Sequence, residues 1–327
     1  MNNKIKVSVI VPVYRVEKYI EKCVRSLFEQ TLNDIEFIFI DDCGGDRSFE
    51  IIDEVLKEFP KRKETVKIIH HKFNQGSFAA RITGINNANG EYIIHCDSDD
   101  WVEADMYETL YDTALNENAD IVWCDFIDEF PNESKYRKEE NITTPEILIK
   151  DILRGKNHGA LWNKIVRKEL YTGNNIYPLE GINIWEDLYL SVNILLHAKK
   201  LAYVNQALYH YNLQNSSSLL SSLSLNKIED RVKICNSLKD VFVNLSVLDI
   251  FDGSLKQREL WAKMEFITDR RFRSFDKWRK LYPDAQSEIF NSIFSVFNKM
   301  TFYFVSIKCD SIAKVLLKIK ESIKALG

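Results

Sequence analysis

Gly90-Glu91-Tyr92-Ile93-Ile94-His95-Cys96-Asp97-Ser98-Asp99-Asp100-Trp101 reads as a buried strand that ends in acid. Tyr92, Ile93 and Ile94 favour a pleated, covered environment. Asp97, Asp99 and Asp100 follow at once and repel one another unless a cation sits among them. Hard divalent ions such as Mg²⁺ or Mn²⁺ suit the cluster, because they take one or two carboxylates and complete their shell with water and phosphate oxygens. An acidic turn that caps the next helix suits it equally, and this stretch alone leaves both open. A calcium-binding EF-hand loop is excluded, since Trp101 falls where the third ligand belongs. Acid at the end of a strand in an α/β chain marks the carboxyl edge of the sheet, where such folds bind ligands.

Upstream, the β-branched run Val7–Val13 predicts a buried first strand whose Pro12 and Tyr14 open into a loop. Tyr19, Ile20, Cys23, Val24, Leu27 and Phe28 then recur at helical spacing, with Glu17, Lys18, Glu21, Lys22 and Arg25 on the other face. A second apolar strand over 35–40 stops at Asp41-Asp42-Cys43-Gly44-Gly45-Asp46, where glycine permits a tight turn and Asp46 or Ser48 can cap a helix. The alternation continues with a helix over 48–59, a strand over 66–69 and a helix over 77–88. Past the acidic cluster come a helix over 104–116 and the strand Ile121-Val122-Trp123-Cys124. Such alternation predicts an α/β fold with a mostly parallel sheet flanked by helices. Gly44-Gly45 does not form G-x-G-x-x-G and its turn is acidic, which disfavours hydride transfer. His70 and His71, adjacent on a strand, point to opposite faces and read as structural.

Residues 129–141 are polar and predict a surface insertion. Thr144-Pro145-Glu146 opens a helix with Ile147, Leu148, Ile152 and Leu153 inward. Ile184-Trp185-Glu186-Asp187-Leu188-Tyr189-Leu190-Ser191 leads into another helix, whose two starting carboxylates also suit dipole and capping chemistry. From Leu225 the chain turns to amphipathic helices rich in Phe, Trp, Lys and Arg, which sets a boundary between domains 1–224 and 225–327. Within 311–326, Ile312, Val315, Leu316, Ile319, Ile323 and Leu326 share a face ringed by Lys314, Lys318, Lys320 and Lys324. Such a helix can lie on an anionic membrane. Packing on its own domain with the lysines in water is the commoner fate.

The 327 residues suit one large or two ordinary domains, and 45% hydrophobic with 28% charged residues excludes wholesale disorder. A net charge of −4 argues against nucleic acid as the main partner. Six scattered cysteines lack the spacing of a zinc or redox motif and read as reduced thiols. With no N-terminal apolar leader and no apolar run of spanning length, the expected location is the cytoplasm, with any membrane contact peripheral to the inner face.

Taken in order, Val7–Val13 with Tyr14, Asp41-Asp42, Asn74-Gln75-Gly76 through Arg81, and Asp97-Ser98-Asp99-Asp100-Trp101 make the chain resemble the family 2 inverting glycosyltransferases over roughly its first two thirds. Trp162-Asn163-Lys164, Glu186-Asp187 and Tyr209-His210-Tyr211 with the following serine-rich loop are similar to that family's bacterial surface-polysaccharide members. The resemblance implies a GT-A fold, a hexosyl- or N-acetylhexosaminyltransferase activity, a nucleotide-sugar donor and a glycan or lipid-linked oligosaccharide acceptor. It places Pro12 and Tyr14 beneath the nucleotide base, Asp42 on a uracil-like N–H, and Arg81 against the donor. Asp97 is implied toward the ribose, Asp99 toward an Mn²⁺ or Mg²⁺ ion on the diphosphate, and Asp187 as general base, with Glu186 the weaker candidate. An inverting transfer needs these two acidic sites, one to take the acceptor's proton and one to hold a cation at the leaving group. The family commonly has D-D-G-S where this chain has Asp41-Asp42-Cys43-Gly44.

A nucleotidyltransferase shares the parallel sheet and acidic metal ligands, but Val13-Tyr14-Arg15-Val16 is no Gly-rich phosphate loop. A non-catalytic sugar-nucleotide or glycan-binding module has no need of both Asp99 and Asp187. The acceptor is expected to be read by the segment between Asp125 and Trp162 and by the C-terminal helices, which also allow a homo-oligomer.

Overall fold

A computed structural model describes residues 4–142, 144–182, 184–215 and 224–326. The serine-rich run after Tyr211 falls largely at 216–223 and, with the side chains of Lys324 and Leu326, lies outside the described residues. The chain forms two compact units, 1–148 with 159–221, and 149–158 with 222–327.

The first unit begins β1 (Val7–Val13), α1 (Ile20–Phe28), β2 (Ile35–Asp41), α2 (Ser48–Glu58), β3 (Val66–His70), α3 (Ser77–Asn87), β4 (Tyr92–His95) and β5 (Trp101–Val102). It continues with α4 (Met106–Asn116), β6 (Ile121–Glu129), β7 (Ser134–Arg137) and the start of α5 (Pro145–Arg154). β8 (Lys164–Arg167), α6 (Lys168–Gly173), α7 (Glu186–His197) and β9 (Leu201–Asn212) complete it. The nine strands of the described residues form one sheet in the order β3-β2-β1-β4-β8-β6-β9-β5, with β7 on β6. β1 to β4 pair in parallel, as the alternation predicts. β8 runs antiparallel between β4 and β6, and β5 antiparallel to β9, so the complete sheet is mixed.

β1 and β2 are continuous apolar runs because helices cover both faces, and Val7, Val9, Phe37 and Phe39 sit in the main core beside Leu27 and Phe28 of α1. The polar exceptions are paired: Ser8 Oγ donates to Glu36 at 2.6 Å and accepts from Gly90 N at 2.8 Å, tying β1, β2 and the start of β4. α3 lies hard against β1 at Gly84, where a Cβ would stand 2.3 Å from Ile10 Cγ2.

Two expectations are corrected in this region. Residues 129–141 are more than an insertion, since β7 folds back on β6 as an antiparallel hairpin. In α5, Ile147 is 49% exposed and Ile149 is buried in its place, because the buried stripe is Leu148, Ile149, Ile152 and Leu153.

The second unit joins residues 149–158 to α8 (Leu225–Asn244), α9 (Leu248–Lys263), α10 (Glu265–Thr268), α11 (Phe275–Lys280), α12 (Val296–Ser306) and α13 (Asp310–Leu326). Buried Arg258 donates to the carbonyls of Leu153 and Ile152, satisfying oxygens at the end of α5. Lys263, also buried, gives its ammonium to the carbonyls of Leu281 and Tyr282 at 2.7 and 2.8 Å above the Trp278 ring. α12 and α13 reach this core through Phe302, Val305, Ala313 and Leu317. The apolar face expected to pack on the domain therefore does so only at its edge, and Ile312, Val315, Ile319 and Ile323 stay exposed. No helix among the described residues is long and apolar enough to cross a membrane.

Candidate active site

The carboxyl ends of β1, β2 and β4 lie side by side, since β1 pairs with both others. Pro12 is the penultimate residue of β1, and Tyr14 just beyond it is 41% exposed, with the Arg15 guanidinium 5.1 Å from its ring centre. Arg15 (φ 53°) and Cys43 (φ 60°) are left-handed in the loops that leave β1 and β2, as is Trp185 (φ 64°) at the entry to α7. Non-glycine residues persist in this conformation where the surroundings fix them, often at functional sites. All six cysteines are free, and Cys43 is exposed.

Asp42 is nearly buried. Its Oδ1 accepts from His71 Nδ1 at 2.8 Å and Gln75 N at 2.9 Å, and its Oδ2 accepts from Gly76 N at 2.8 Å. A carboxylate offers about four acceptor positions, so one remains on Oδ2 for a ligand N–H. Gly76 reaches Asp42 with φ 89°, a backbone that other residues adopt only with strain. His71 is completed by Thr83 Oγ1 at 2.9 Å, and its neighbour His70 faces Asp41.

The three acids after β4 have different surroundings. Asp100 is buried, accepting from Tyr209 Oη at 2.5 Å and Asn212 N at 2.7 Å. Burial, then the charges of Asp99 and Asp97, push it well above the usual carboxylate range. It is the internal brace of the turn. Asp99 accepts from Asn215 Nδ2 at 2.8 Å, and its pKa is raised by burial and then by Asp97. Asp97 accepts from Arg81 Nη2 at 3.0 Å.

Arg81, delivered by α3, is buried between two acids. The same Nη2 lies 3.5 Å from Asp187 Oδ1, while Nε and Nη1 have no hydrogen-bond partner. Burial alone would weaken its charge, but Asp187 and Asp97 together carry its pKa above the ordinary value. Asp187, second residue of α7, makes no hydrogen bond through Oδ1 and is raised by burial against the pull of Arg81. Glu186 beside it accepts from Ser77 Oγ at 3.1 Å and is pushed up to about 7 by burial and the Asp187 charge. Tyr211 closes the group: its ring stacks on Trp162, and after burial the charges of Asp97, Asp100, Asp99 and Asp187 raise its pKa.

Arg81, Asp97 and Asp187 thus come together, Asp99 shares the turn with Asp97, and Asp42 with Pro12 and Tyr14 lines the neighbouring strand ends. Sequence reasoning left His71 as structural and did not link it to Asp42. The signal lay in register, because Asp41 is directly opposite His70, which puts the next pair together beyond the strand ends. Asn215 and the bracing role of Asp100 were also missed; both depend on β9, a strand whose alternation is broken by a register shift opposite Cys124 and Asp125.

Among the described residues no group of three or more His, Cys, Asp or Glu forms a metal cage. The acidic turn nevertheless fits an ion such as Mg²⁺ or Mn²⁺, which uses one or two carboxylates plus phosphate oxygens, since Asp99 stands in the same turn as Asp97, its pKa raised by burial and then by that neighbour's charge. Partnerless buried N–H groups on Arg81 fit an anion beside it.

Known proteins share this fold and family. The Putative glycosyltransferase EpsH of Bacillus subtilis is 36% identical over 218 residues, 64% of this chain and 62% of the relative, so the match spans less than two thirds of that protein's length. The crystal structure of S. aureus TarS 1-349 in complex with UDP-GlcNAc superposes with a TM-score of 0.74 over 97% of this chain and 92% of that one, at 18% identity. The mannosyltransferase PcManGT from Pyrobaculum calidifontis, solved with GDP-Man and Mn²⁺, matches with a TM-score of 0.53 over 98% and 87% of the two chains at 12% identity. At such identities the structures bear on the fold alone, which is GT-A with a helical C-terminal region. The model of Glycosyl transferase family 2 matches residues 8–171, half of the chain and the part that contains Asp42, Arg81, Asp97 and Asp99, and the chain belongs to that family.

Proposed function

We propose that the protein transfers a sugar, with inversion, from a nucleotide-diphosphate donor, UDP-sugar by class, to a glycan hydroxyl during synthesis of a bacterial surface polysaccharide. The observation that carries this reading is Arg81, which touches both the first acid of the Asp97-Ser98-Asp99 turn and Asp187 on another helix, with the N–H groups of two nitrogens, Nε and Nη1, unspent. In this reading Pro12 and Tyr14 hold the base, and the last acceptor position of Asp42 takes a uracil-like N–H. Arg81 spends its free N–H groups on the diphosphate and Asp97 meets the ribose. Asp99 would hold Mn²⁺ or Mg²⁺, whose charge offsets that developing on the leaving diphosphate. Asp187, which faces the same Arg81 Nη2 as Asp97, receives the acceptor hydroxyl's proton as the new bond forms. Glu186, mostly protonated below about pH 7 and held by Ser77, is the poorer base. The UDP-GlcNAc bound by TarS and the Mn²⁺ bound by PcManGT support the donor and metal classes. The enzyme in this reading works in the cytoplasm at the inner membrane face, on a lipid-linked glycan.

The test is incubation with a panel of nucleotide sugars and Mn²⁺, following nucleoside diphosphate release. Wild type should release it with one donor, and Asp187→Asn should bind that donor normally while transferring about 10² to 10⁴ times more slowly. Pyrophosphate release would point instead to a nucleotidyltransferase, and binding without turnover to a glycan-binding module.

A further inference from the structure

The last two helices of the second unit each expose an apolar row. Val296, Met300 and Tyr303 along α12 with Ile307 just past its end, and Ile312, Val315, Ile319 and Ile323 along α13, are all between 36% and 77% exposed. The helices are side by side, joined by Lys320 Nζ donating to Asn298 at 2.7 Å. Their buried residues, Phe302, Val305, Ala313 and Leu317, occupy other faces, so the exposed rows are not a frayed core. Exposed apolar rows of this extent on a soluble surface mark an interaction site.

Charge identifies the occupant. Residues 291–327 hold six lysines against Asp310 and Glu321 in a chain of net −4. Both acids are already neutralised, Asp310 by Arg279 at 2.6 Å and Glu321 by Arg270 and Arg273. Lys314 and Lys318 are exposed beside the α13 row, at about one side of it by helical spacing, with no carboxylate partner among the described residues. A second copy of the chain is disfavoured, since a two-fold interface sets the patch against itself and its carboxylates, Asp310 and Glu321, are already paired and so offer these lysines no free acid.

We infer that α12 and α13 form a docking surface for an anionic phospholipid membrane, with the apolar rows at the acyl boundary and Lys314 and Lys318 among the headgroups. The surface would hold the enzyme where lipid-linked acceptors reside. It rests on the transferase reading only for that purpose; the binding itself is measured without donor or acceptor, so its failure leaves the transferase reading standing.

The experiment is co-sedimentation of the full chain with vesicles of equal parts phosphatidylglycerol and phosphatidylcholine, or phosphatidylcholine alone, at about 0.1 M and about 0.5 M salt. Binding should require phosphatidylglycerol and weaken at the higher salt. The double variant Lys314→Gln/Lys318→Gln should bind about tenfold to thirtyfold more weakly, and Val315→Ser/Ile319→Ser should also lose binding, with unchanged melting temperatures. No binding, binding equal on neutral vesicles, or binding indifferent to either double variant overturns the inference. So does a concentration-dependent dimer in the absence of vesicles that Val315→Ser/Ile319→Ser abolishes.

Discussion

Asp42 and Glu186 show how a single carboxyl can be specified by its neighbours. Asp42 is a bracket for residues 71–76 as well as a candidate ligand, so Asp42→Ala strands two backbone N–H groups and one imidazole. Each unpaired buried donor costs about 1–3 kcal/mol, so the variant should lower the melting temperature as well as weaken UDP affinity. Loss of affinity with unchanged melting would show that the bracket contributes nothing. Glu186 has the opposite character. Its proton is held in the folded state up to about pH 7 but is released near 4.5 when unfolded, so the folded form binds the extra proton between those values. Stability from this group is therefore full below about 4.5 and falls as pH rises toward 7. Glu186→Gln removes that slope while retaining an acceptor for Ser77, so its advantage in melting temperature over wild type should grow between about pH 5 and about pH 8. A constant difference across that range would refute the assigned shift.

At the scale of elements, α3 matters most, because it carries Arg81 and is seated on β1 one turn later. Gly84→Ala gains up to about 1 kcal/mol of helix propensity but forces a methyl into Ile10, and overpacking of that kind costs about 1–3 kcal/mol. The clash wins. Lower stability and weaker donor binding are expected together, and a stabilised variant with intact donor affinity would contradict the seating. The sequence made β1 to β4 and their helices legible because apolar runs alternate cleanly with amphipathic ones, and β2 and β4 end in recognisable acidic turns. It concealed β5, β7, β8 and β9 for separate reasons: two or four residues give no period, and β9 carries a bulge. The site followed the same division. Asp42, Arg81, Asp97, Asp99 and Asp187 stood in motifs, whereas His71 and Asn215, which bond Asp42 and Asp99, are brought in by contacts between distant segments.

For the whole molecule, the path of the chain is as informative as its sites. Residues 149–158 leave the first unit, join the second, and return at Gly159, while the rest of the second unit starts only at 222. A chain ending at residue 221 would keep every site residue yet leave Ile149, Ile152 and Leu153 without the cover and the Arg258 cap they have here. It should be recovered mainly as aggregate on size-exclusion chromatography, and a monomeric product melting like the full chain would refute the point. The same excursion acts during synthesis. At about 5–20 residues per second, α5 emerges on the order of ten seconds before the last helices, so its apolar stripe is open while the ribosome completes the chain. Yield in the cell should then depend on chaperones that hold nascent chains and on the speed of translation past residue 158, though neither the sheet nor the acidic turn is affected by such delay.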